Sequence, residues 1–322
     1  MDICSFYIAI FELVCYIYGI GYFRPANAGE SRLHLRFAFS FLTGKNGEKM
    51  GKFDGILICT DLDGTLYRND KSISWENKEA IAYFKGEGGY FTFITGRMPY
   101  YAQEAYRAVK PNFPFGCING GGLYDGRMME YVWTCGMPDG VLELVQCIDE
   151  QLPEVGIQVC CFDKTYFAKE NNVMADFRRA TGIPNLVCHY RGVKEPIAKI
   201  LFGTAQEAQI LAMEKLLKEH ALAKSFDFIR SERTLFEILP KGVTKGLALS
   251  KLAQHLHMDI NRTVEIGDYD NDIGMFRVAK LGIAVSNACN AARDAADDIT
   301  VSNEEHAIAQ VIRDLENGKY HF

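Results

Sequence analysis

The sequence reads Gly55-Ile56-Leu57-Ile58-Cys59-Thr60-Asp61-Leu62-Asp63-Gly64-Thr65 at residues 55–65, an apolar run that ends at two carboxylates. A continuous apolar run of this length is typical of a central strand in a parallel sheet, because such a strand is buried on both faces. Two carboxylates placed two residues apart repel one another unless a cation or a proton lies between them. The run therefore predicts a buried strand that leads into a charged site.

The segments that follow alternate between helical and strand patterns. Residues 75–85 predict a helix with Ser74 as its N-cap. Residues 90–94 and 115–118 predict the second and third strands. This alternation indicates β-α-β units, which build a doubly wound parallel sheet with helices on both faces.

Between residues 131 and 239 the pattern changes. Strand patterns now come in adjacent pairs with helical stretches beside them: strands at 157–162, 165–169, 226–230 and 235–239, and helices at 140–151 and 206–220. After Pro240 the first rhythm returns. We therefore predict an α/β doubly wound parallel-sheet (Rossmann-like) core at residues 51–130 and 240–322, interrupted by an inserted α+β domain at residues 131–239.

Polar side chains follow the predicted strands, where ligands bind in open α/β sheets. They lie in four segments: Asp61-Leu62-Asp63-Gly64-Thr65, Thr95-Gly96-Arg97, Thr244-Lys245-Gly246, and Gly267-Asp268-Tyr269-Asp270-Asn271-Asp272. Carboxylates suit a hard divalent ion such as Mg²⁺, and an Asp can attack phosphorus to form an aspartyl-phosphate. Thr95, Gly96 and Lys245 offer donors to a phosphoryl group. Each segment alone also fits a turn or a helix cap, but their joint, ordered appearance predicts a phosphoryl-transfer site.

Together the four segments resemble the motifs of the haloacid dehalogenase-like hydrolase superfamily, and the finer match is to the Cof-type phosphatases. Supporting matches are Asn119-Gly120-Gly121, residues 237–246 and Asn287-Ala288. The resemblance runs from about residue 53 to the C terminus and does not cover residues 1–50. It implies that the inserted domain is an α/β cap that closes over the core.

The resemblance also implies a role for each residue of the site. Asp61 is the expected nucleophile and a Mg²⁺ ligand. Asp63 is the expected acid and base, and its backbone carbonyl is expected to bind the metal. Asp268 is the third expected metal ligand, supported by Asp272 from behind. The residues expected to hold the phosphate are Leu62 (through its backbone N–H), Thr95, Gly96, Lys245 and Asn271.

We therefore expect a Mg²⁺-dependent phosphoric monoester hydrolase that acts on a small phosphorylated metabolite, such as a sugar phosphate or a phosphorylated cofactor. The alternatives are a phosphomutase or phosphotransferase with the same nucleophile, and a non-catalytic sensor of a phosphorylated metabolite. In the inserted domain, His189, Tyr190 and Arg191 are candidate substrate contacts. The alternative is that they are ordinary loop residues.

Composition excludes some partners. The chain of 322 residues has 35 Lys and Arg against 41 Asp and Glu, which argues against nonspecific nucleic-acid binding because that needs a basic surface. Its ten cysteines form no C-x-x-C pair, and most lie in apolar runs. They are interpreted as reduced thiols of a cytoplasmic protein.

Residues 1–50 are an N-terminal extension with a different pattern. Residues 3–23 are almost wholly apolar and long enough to span a bilayer, but Glu12, Gly19 and Gly21 weaken a membrane interpretation. Three interpretations stay open: an upstream mis-assigned start with Met50 as the true start, a membrane or surface anchor, and an extra packed helix. Membrane association is expected only if residues 3–23 are an anchor.

Overall fold

A computed structural model describes residues 51–322 of the chain. The strands in this part are β1 (Leu57–Thr60), β2 (Tyr90–Phe93), β3 (Phe115–Cys117), β4 (Gly122–Asp125), β5 (Glu130–Thr134), β6 (Gly156–Cys161), β7 (Thr165–Lys169), β8 (Ile197–Gly203), β9 (Phe226–Glu232), β10 (Leu235–Pro240), β11 (Thr263–Gly267), β12 (Leu281–Val285) and β13 (Asp298–Thr300). The α-helices are α1 (Trp75–Gly86), α2 (Gln103–Val109), α3 (Val141–Gln151), α4 (Asn172–Thr181), α5 (Glu207–Glu219), α6 (Lys245–Leu256), α7 (Ile273–Phe276), α8 (Asn290–Ala295) and α9 (Ala307–Glu316).

The central sheet has the strand order β13-β12-β11-β1-β2, and all neighbouring strands in it are parallel. Side chains of β1 alternate between two apolar layers. Ile58 packs in the layer that includes residues of α1 and α9, whereas Leu57 and Cys59 pack in the layer that includes residues of α6. Helices therefore cover both faces of the sheet, which confirms the predicted doubly wound α/β core.

Helix α1 begins where the sequence predicts. The Ser74 hydroxyl accepts a hydrogen bond from the Asn77 backbone N–H at 3.2 Å, which satisfies one of the free donors at the helix start. The Asn77 side-chain oxygen in turn accepts the Ala309 N–H of α9 at 3.0 Å. The N-terminal cap of α1 is thus also part of its packing against α9.

A second sheet is antiparallel, with the order β7-β6-β8-β10-β9. The predicted pairs, β6 with β7 and β9 with β10, are confirmed. Strand β8 and helix α4 were not predicted from the sequence, and β8 is the strand that joins the two pairs. One face of the sheet packs against α3 and α5 through Ile200, Phe202 and Ile238. We call this sheet, with α3, α4 and α5, the inserted sheet; it confirms an inserted α+β module.

A third, smaller sheet was not expected from the sequence. It has the order β3-β4-β5 and is antiparallel, and a parallel bridge between Ile94 and Gly116 aligns β3 beside β2. Strand β5 spans Glu130–Thr134, so it crosses the predicted boundary at residue 131. The domain boundaries remain a prediction.

Several expectations concern residues that lie outside the described part of the chain. These are the three interpretations of residues 1–50, including the apolar stretch at 3–23, and the state of Cys4 and Cys15. Within residues 51–322 no helix is long and apolar enough to cross a membrane. The eight cysteines of that part are free thiols.

The capping hydrogen bond of Ser74 leads to the first prediction. Replacing Ser74→Ala should lower the free energy of unfolding by about 1 kcal/mol, because the Asn77 N–H loses its partner at a buried helix end. Urea denaturation followed by circular dichroism measures this, with Ser250→Ala inside α6 as the control. A loss no larger than that of Ser250→Ala would contradict a capping role for Ser74.

Candidate active site

The carboxyl ends of β1 and β11 lie side by side and bring two aspartates together. Thr60 is in register with Ile266, and the Asp61 N–H donates to the Ile266 carbonyl at 2.8 Å. One carboxylate oxygen from each of Asp61, Asp268 and Asp272 lies within 4.8 Å of the other two. Asp61 and Asp272 are buried, and Asp268 is partly buried. The two strand ends therefore build one compact acidic cluster.

Lys245 neutralises part of this cluster. It opens α6, whose N-cap Thr244 accepts the Leu247 N–H at 3.1 Å. The Lys245 ammonium is buried and lies 2.5 Å from Oδ1 of Asp61 and 2.5 Å from Oδ1 of Asp272. One cation thus contacts two of the three carboxylates.

Asp272 organises the loop that carries Asp268. Its Oδ2 accepts the backbone N–H groups of Asp268 at 2.8 Å and Tyr269 at 3.0 Å, while its Oδ1 binds Lys245. Both carboxylate oxygens of Asp272 are therefore already occupied within the protein. This arrangement suits a residue that positions Lys245 and the Asp268 loop rather than one that binds a ligand itself.

The protonation of the cluster follows from its burial. Burial raises the pKa of Asp61, and the Asp272 and Asp63 carboxylates add to the shift although Lys245 opposes it. Burial also raises the pKa of Asp268, together with Asp272 and Asp61. When all three carboxyls are ionised, one ammonium leaves an excess of negative charge. The ligand atoms that the three carboxylates offer are all oxygens, and such a donor set fits a hard divalent cation such as Mg²⁺.

Gly64 allows the first motif to approach the second strand end. It lies in the turn Leu62–Leu66 and has a φ of +81°. A Cβ at this position would lie 2.4 Å from Oδ2 of Asp268, so a side chain would be both strained and in collision. The next residue, Thr65, donates its hydroxyl to Oδ1 of Asp268 at 3.0 Å. The turn therefore orients the Asp268 carboxylate.

The Asp63 side chain binds two cations. Arg97 contacts it with both arms of the guanidinium, Nε to Oδ2 at 2.7 Å and Nη2 to Oδ1 at 2.7 Å, and Lys71 Nζ lies 2.8 Å from Oδ1. Burial alone would raise the pKa of Asp63, but Arg97 and Lys71 hold that pKa at about 2. In this arrangement Asp63 is ionised and bound to Arg97. No role was predicted from the sequence for Arg97 or Lys71.

The predicted phosphate-binding residues lie at the same edge of the sheet. Thr95 follows β2 and is buried, and its Oγ1 accepts the Arg97 N–H at 3.2 Å. Asn271 donates its side-chain amide to Oδ1 of Asn119 at 3.0 Å, and a Cβ on Gly96 would lie 2.8 Å from that same oxygen. The structure thus gathers Thr95, Gly96 and Asn271 around Asn119. Leu62 and Lys245 are placed beside Asp61.

Two residues of the inserted sheet also reach this edge, and no role was predicted for either. Lys199 donates to the Gly96 carbonyl at 2.9 Å, and Glu237 accepts the side-chain amide of Asn119 at 3.0 Å. A lone Lys inside the apolar run 197–203 was the sequence signal for the first. Glu237 lies in a segment that matched the family without a stated role.

The three candidate substrate contacts of the inserted sheet fit the loop alternative. Tyr190 is buried in the core of that module, and its hydroxyl donates to Asp149 at 3.3 Å. The His189 ring stacks on Tyr190 with a centroid distance of 4.2 Å, and its Nδ1 accepts the Arg191 N–H.

A cavity of about 390 Å³ lies next to Lys245 and Asn271. Its other wall comes from the inserted sheet and includes Phe228, Arg230 and Phe236. The cavity is mixed in character, with aromatic side chains at one side and polar groups of the site at the other.

Comparison with known proteins agrees with this geometry. Residues 58–312 match a family model described as haloacid dehalogenase-like hydrolase. The chain is 26% identical over 264 residues to 5-amino-6-(5-phospho-D-ribitylamino)uracil phosphatase YitU of Bacillus subtilis, covering 80% of this chain and 96% of that protein. It is 26% identical to the putative phosphatase YkrA of the same organism, covering 81% and 98%. A solved haloacid dehalogenase-like hydrolase from Bacteroides thetaiotaomicron superposes with a TM-score of 0.71 at 25% identity, covering 80% and 98%.

The acidic cluster leads to a prediction about cation binding. Carboxyls whose pKa is raised by folding stabilise the cation-free protein at low pH, and that contribution is lost as the pH rises through the raised pKa. A divalent cation competes with those protons. Adding Mg²⁺ should therefore raise the melting temperature more at about pH 8 than at about pH 6.

Thermal unfolding of the full chain at the two pH values measures this effect. Asp268→Asn is the test variant, and it should lose most of the Mg²⁺-dependent shift at both pH values. Equal shifts at the two pH values, or a full shift in Asp268→Asn, would count against the acidic cluster as the cation site.

Proposed function

Because this chain belongs to the haloacid dehalogenase-like hydrolases, we propose that it is a Mg²⁺-dependent phosphatase that hydrolyses small phosphomonoesters through an aspartyl-phosphate on Asp61. The observation that carries the proposal is the acidic cluster at the ends of β1 and β11, with Lys245 inserted between Asp61 and Asp272. A phosphoric monoester hydrolase needs a nucleophile, a metal site and phosphate donors in one place, and the cluster supplies residues for each.

The metal would be held by the carboxylates of Asp61 and Asp268 and by the backbone carbonyl of Asp63. Asp272 is not assigned as a ligand, because Lys245 and two backbone N–H groups already occupy its oxygens. When bound, Mg²⁺ offsets the negative charge of the phosphoryl oxygens and of the attacking carboxylate. The residues that would bind those phosphoryl oxygens are Leu62 and Gly96 (through their backbone N–H groups), Thr95, Lys245 and Asn271.

In the first step a carboxylate oxygen of Asp61 attacks phosphorus, and the ester P–O bond breaks. The alkoxide takes a proton from the carboxyl group of Asp63 and leaves as the alcohol. In the second step water attacks the phosphorus of the aspartyl-phosphate while Asp63 accepts its proton. Inorganic phosphate leaves, and the Asp61 carboxylate is restored.

Asp63 must change partners to act in this way. Its carboxylate is bound to Arg97 and Lys71, which hold it ionised. Proton donation to the leaving group requires that the carboxyl turn away from Arg97 and carry a proton.

Support for a small substrate comes from the cavity beside Lys245 and Asn271. About 390 Å³ holds a metabolite-sized leaving group and not a folded macromolecule. The relatives described as phosphatases support the same reaction class, and the name of one of them specifies 5-amino-6-(5-phospho-D-ribitylamino)uracil. The substrate that we propose for this chain is a small phosphorylated metabolite.

The reaction class is tested by phosphate release from a panel of phosphomonoesters with and without Mg²⁺. The parent should release phosphate only with Mg²⁺, and Asp61→Asn should lose detectable turnover while remaining folded, because an amide is a poor nucleophile. Asp294→Asn, which changes an exposed carboxylate on α8, is the matched control and should keep the parent rate.

Product analysis separates the alternatives. Equal amounts of alcohol and inorganic phosphate support hydrolysis, whereas transfer of the phosphoryl group to a second hydroxyl would favour a mutase or phosphotransferase. Appreciable turnover by Asp61→Asn would contradict covalent catalysis by Asp61. Tight binding without turnover would favour the sensor.

The acid role of Asp63 leads to a prediction about leaving groups. Asp63→Asn should lower kcat/KM for an alkyl phosphate by about 10²–10⁴-fold, because the alkoxide leaves unprotonated. The loss should be much smaller for 4-nitrophenyl phosphate, whose phenolate leaves without a proton. Steady-state kinetics on the two esters measures the difference, and equal losses on both would show that Asp63 does not protonate the leaving group.

A further inference from the structure

An ion pair of the inserted sheet is buried beside the candidate site. Lys199 on β8 and Glu237 on β10 lie 2.9 Å apart, and their side chains are 7% and 3% exposed. Burial alone would lower the pKa of Lys199, but the Glu237 carboxylate raises it above its ordinary value, so the ammonium stays charged. Burying such a pair is costly unless further hydrogen bonds satisfy both charges.

Both charges find those further partners in the core. Lys199 Nζ donates to the Gly96 carbonyl at 2.9 Å. Glu237 Oε2 accepts the side-chain amide of Asn119 at 3.0 Å, and the Asn119 oxygen accepts the amide of Asn271 at 3.0 Å. The pair therefore contacts the Gly96 loop directly and the Asn271 loop through Asn119, although it belongs to a different sheet.

The contact at Gly96 restricts the directions in which the Thr95 hydroxyl can donate a hydrogen bond. The Gly96 carbonyl and the Arg97 N–H belong to one planar trans peptide and point in opposite directions. On the far side, that N–H donates to Oγ1 of Thr95 at 3.2 Å. Because Oγ1 of Thr95 accepts this N–H, the Thr95 hydroxyl hydrogen points away from the Arg97 N–H, which restricts the directions in which it can donate to a phosphate oxygen.

We propose that Lys199 is a positioning residue for phosphate binding: by holding the Gly96 carbonyl it fixes the Gly96–Arg97 peptide and so restricts the directions in which Thr95 donates. Glu237 holds Lys199 in place and orients Asn119 and Asn271. The proposal rests on the proposed function, because it assigns Thr95 to the phosphate. The conformation of the loop that carries Thr95 and Gly96 then depends on the position of the inserted sheet relative to the core.

The test variant is Lys199→Met/Glu237→Gln. It removes both charges together, so no unpaired charge is left buried, and the Gln oxygen still accepts the Asn119 amide. We expect kcat/KM with the best phosphomonoester to fall by about 10–100-fold, with a similar rise in the inhibition constant of orthovanadate, because supporting residues of this kind have effects of that size. The melting temperature should stay near that of the parent.

The matched control is Lys169→Met/Asp149→Asn. This pair, with a 2.5 Å contact, also belongs to the inserted sheet and is partly buried. Its rates should remain within about twofold of the parent. Equal losses in the control and the test variant would overturn the proposal, because they would report a general effect of disturbing the inserted sheet.

A double-mutant cycle with Thr95→Val tests whether Lys199 acts through the Thr95 hydroxyl. If Lys199 acts through the Thr95 hydroxyl, the test variant should cost less than about threefold in kcat/KM when Thr95 is already Val. A purely structural role would give the same fold-loss in both backgrounds, and that result would overturn the proposal. So would parent-like kinetics in the test variant.

Two further outcomes, an unstable test variant and an inactive parent protein, are distinguished as follows. If the test variant melts below the assay temperature, Lys199→Gln/Glu237→Gln replaces it, because the amide keeps the position polar but is one bond too short to hold Gly96. The same losses are then expected, and parent-like kinetics would overturn the proposal. A parent protein that neither turns over substrate nor binds orthovanadate would overturn both the proposed function and the positioning role of Lys199. An active parent with a variant of parent-like kinetics would overturn the positioning role alone.

Discussion

The site depends on one interaction, the buried Lys245 ammonium placed 2.5 Å from both Asp61 and Asp272. Three carboxylates within 4.8 Å would repel one another in a buried position. Lys245 offsets part of that charge. The negative charge that remains favours a divalent cation, which in turn would attract an anionic phosphoryl group. The fold serves this arrangement, because parallel strands β1 and β11 end together and the N terminus of α6 lies beneath them.

A second layer of polar contacts holds the loops around that centre. Asp272 binds the N–H groups of the Asp268 loop, Gly64 leaves room for the Asp268 carboxylate, and Asn119 joins Asn271 to the inserted sheet. The polar groups among them are buried or partly buried and hydrogen-bonded, so removing one leaves others without partners. For this reason the loops at the sheet edge behave as one connected unit rather than as independent motifs.

Much of the fold was predicted because its signals are local. Apolar runs marked β1, β2 and β12, and a capping Ser marked the start of α1. The hairpin β4–β5 was missed because its second strand is only partly buried and its apolar run is short, with the pattern Glu130-Tyr131-Val132-Trp133-Thr134. Strand β8 was missed because it has no hairpin partner next to it in sequence, and its two neighbours, β6 and β10, are distant along the chain.

The sequence by itself determined the chemistry and the order of the parts: two carboxylates after a buried strand, a Thr-Gly pair after the next, a Lys at a helix start and a further acidic loop. These are set by residue type and short-range periodicity, which need no knowledge of distant contacts. Only the tertiary structure decided which groups meet. Asp61 and Lys245 are 184 residues apart, Gly96 and Lys199 are 103 apart, and Asp63 and Arg97 are 34 apart. Such pairs depend on how sheets and helices pack, because a hydrogen bond forms only where folding places donor and acceptor within about 3 Å.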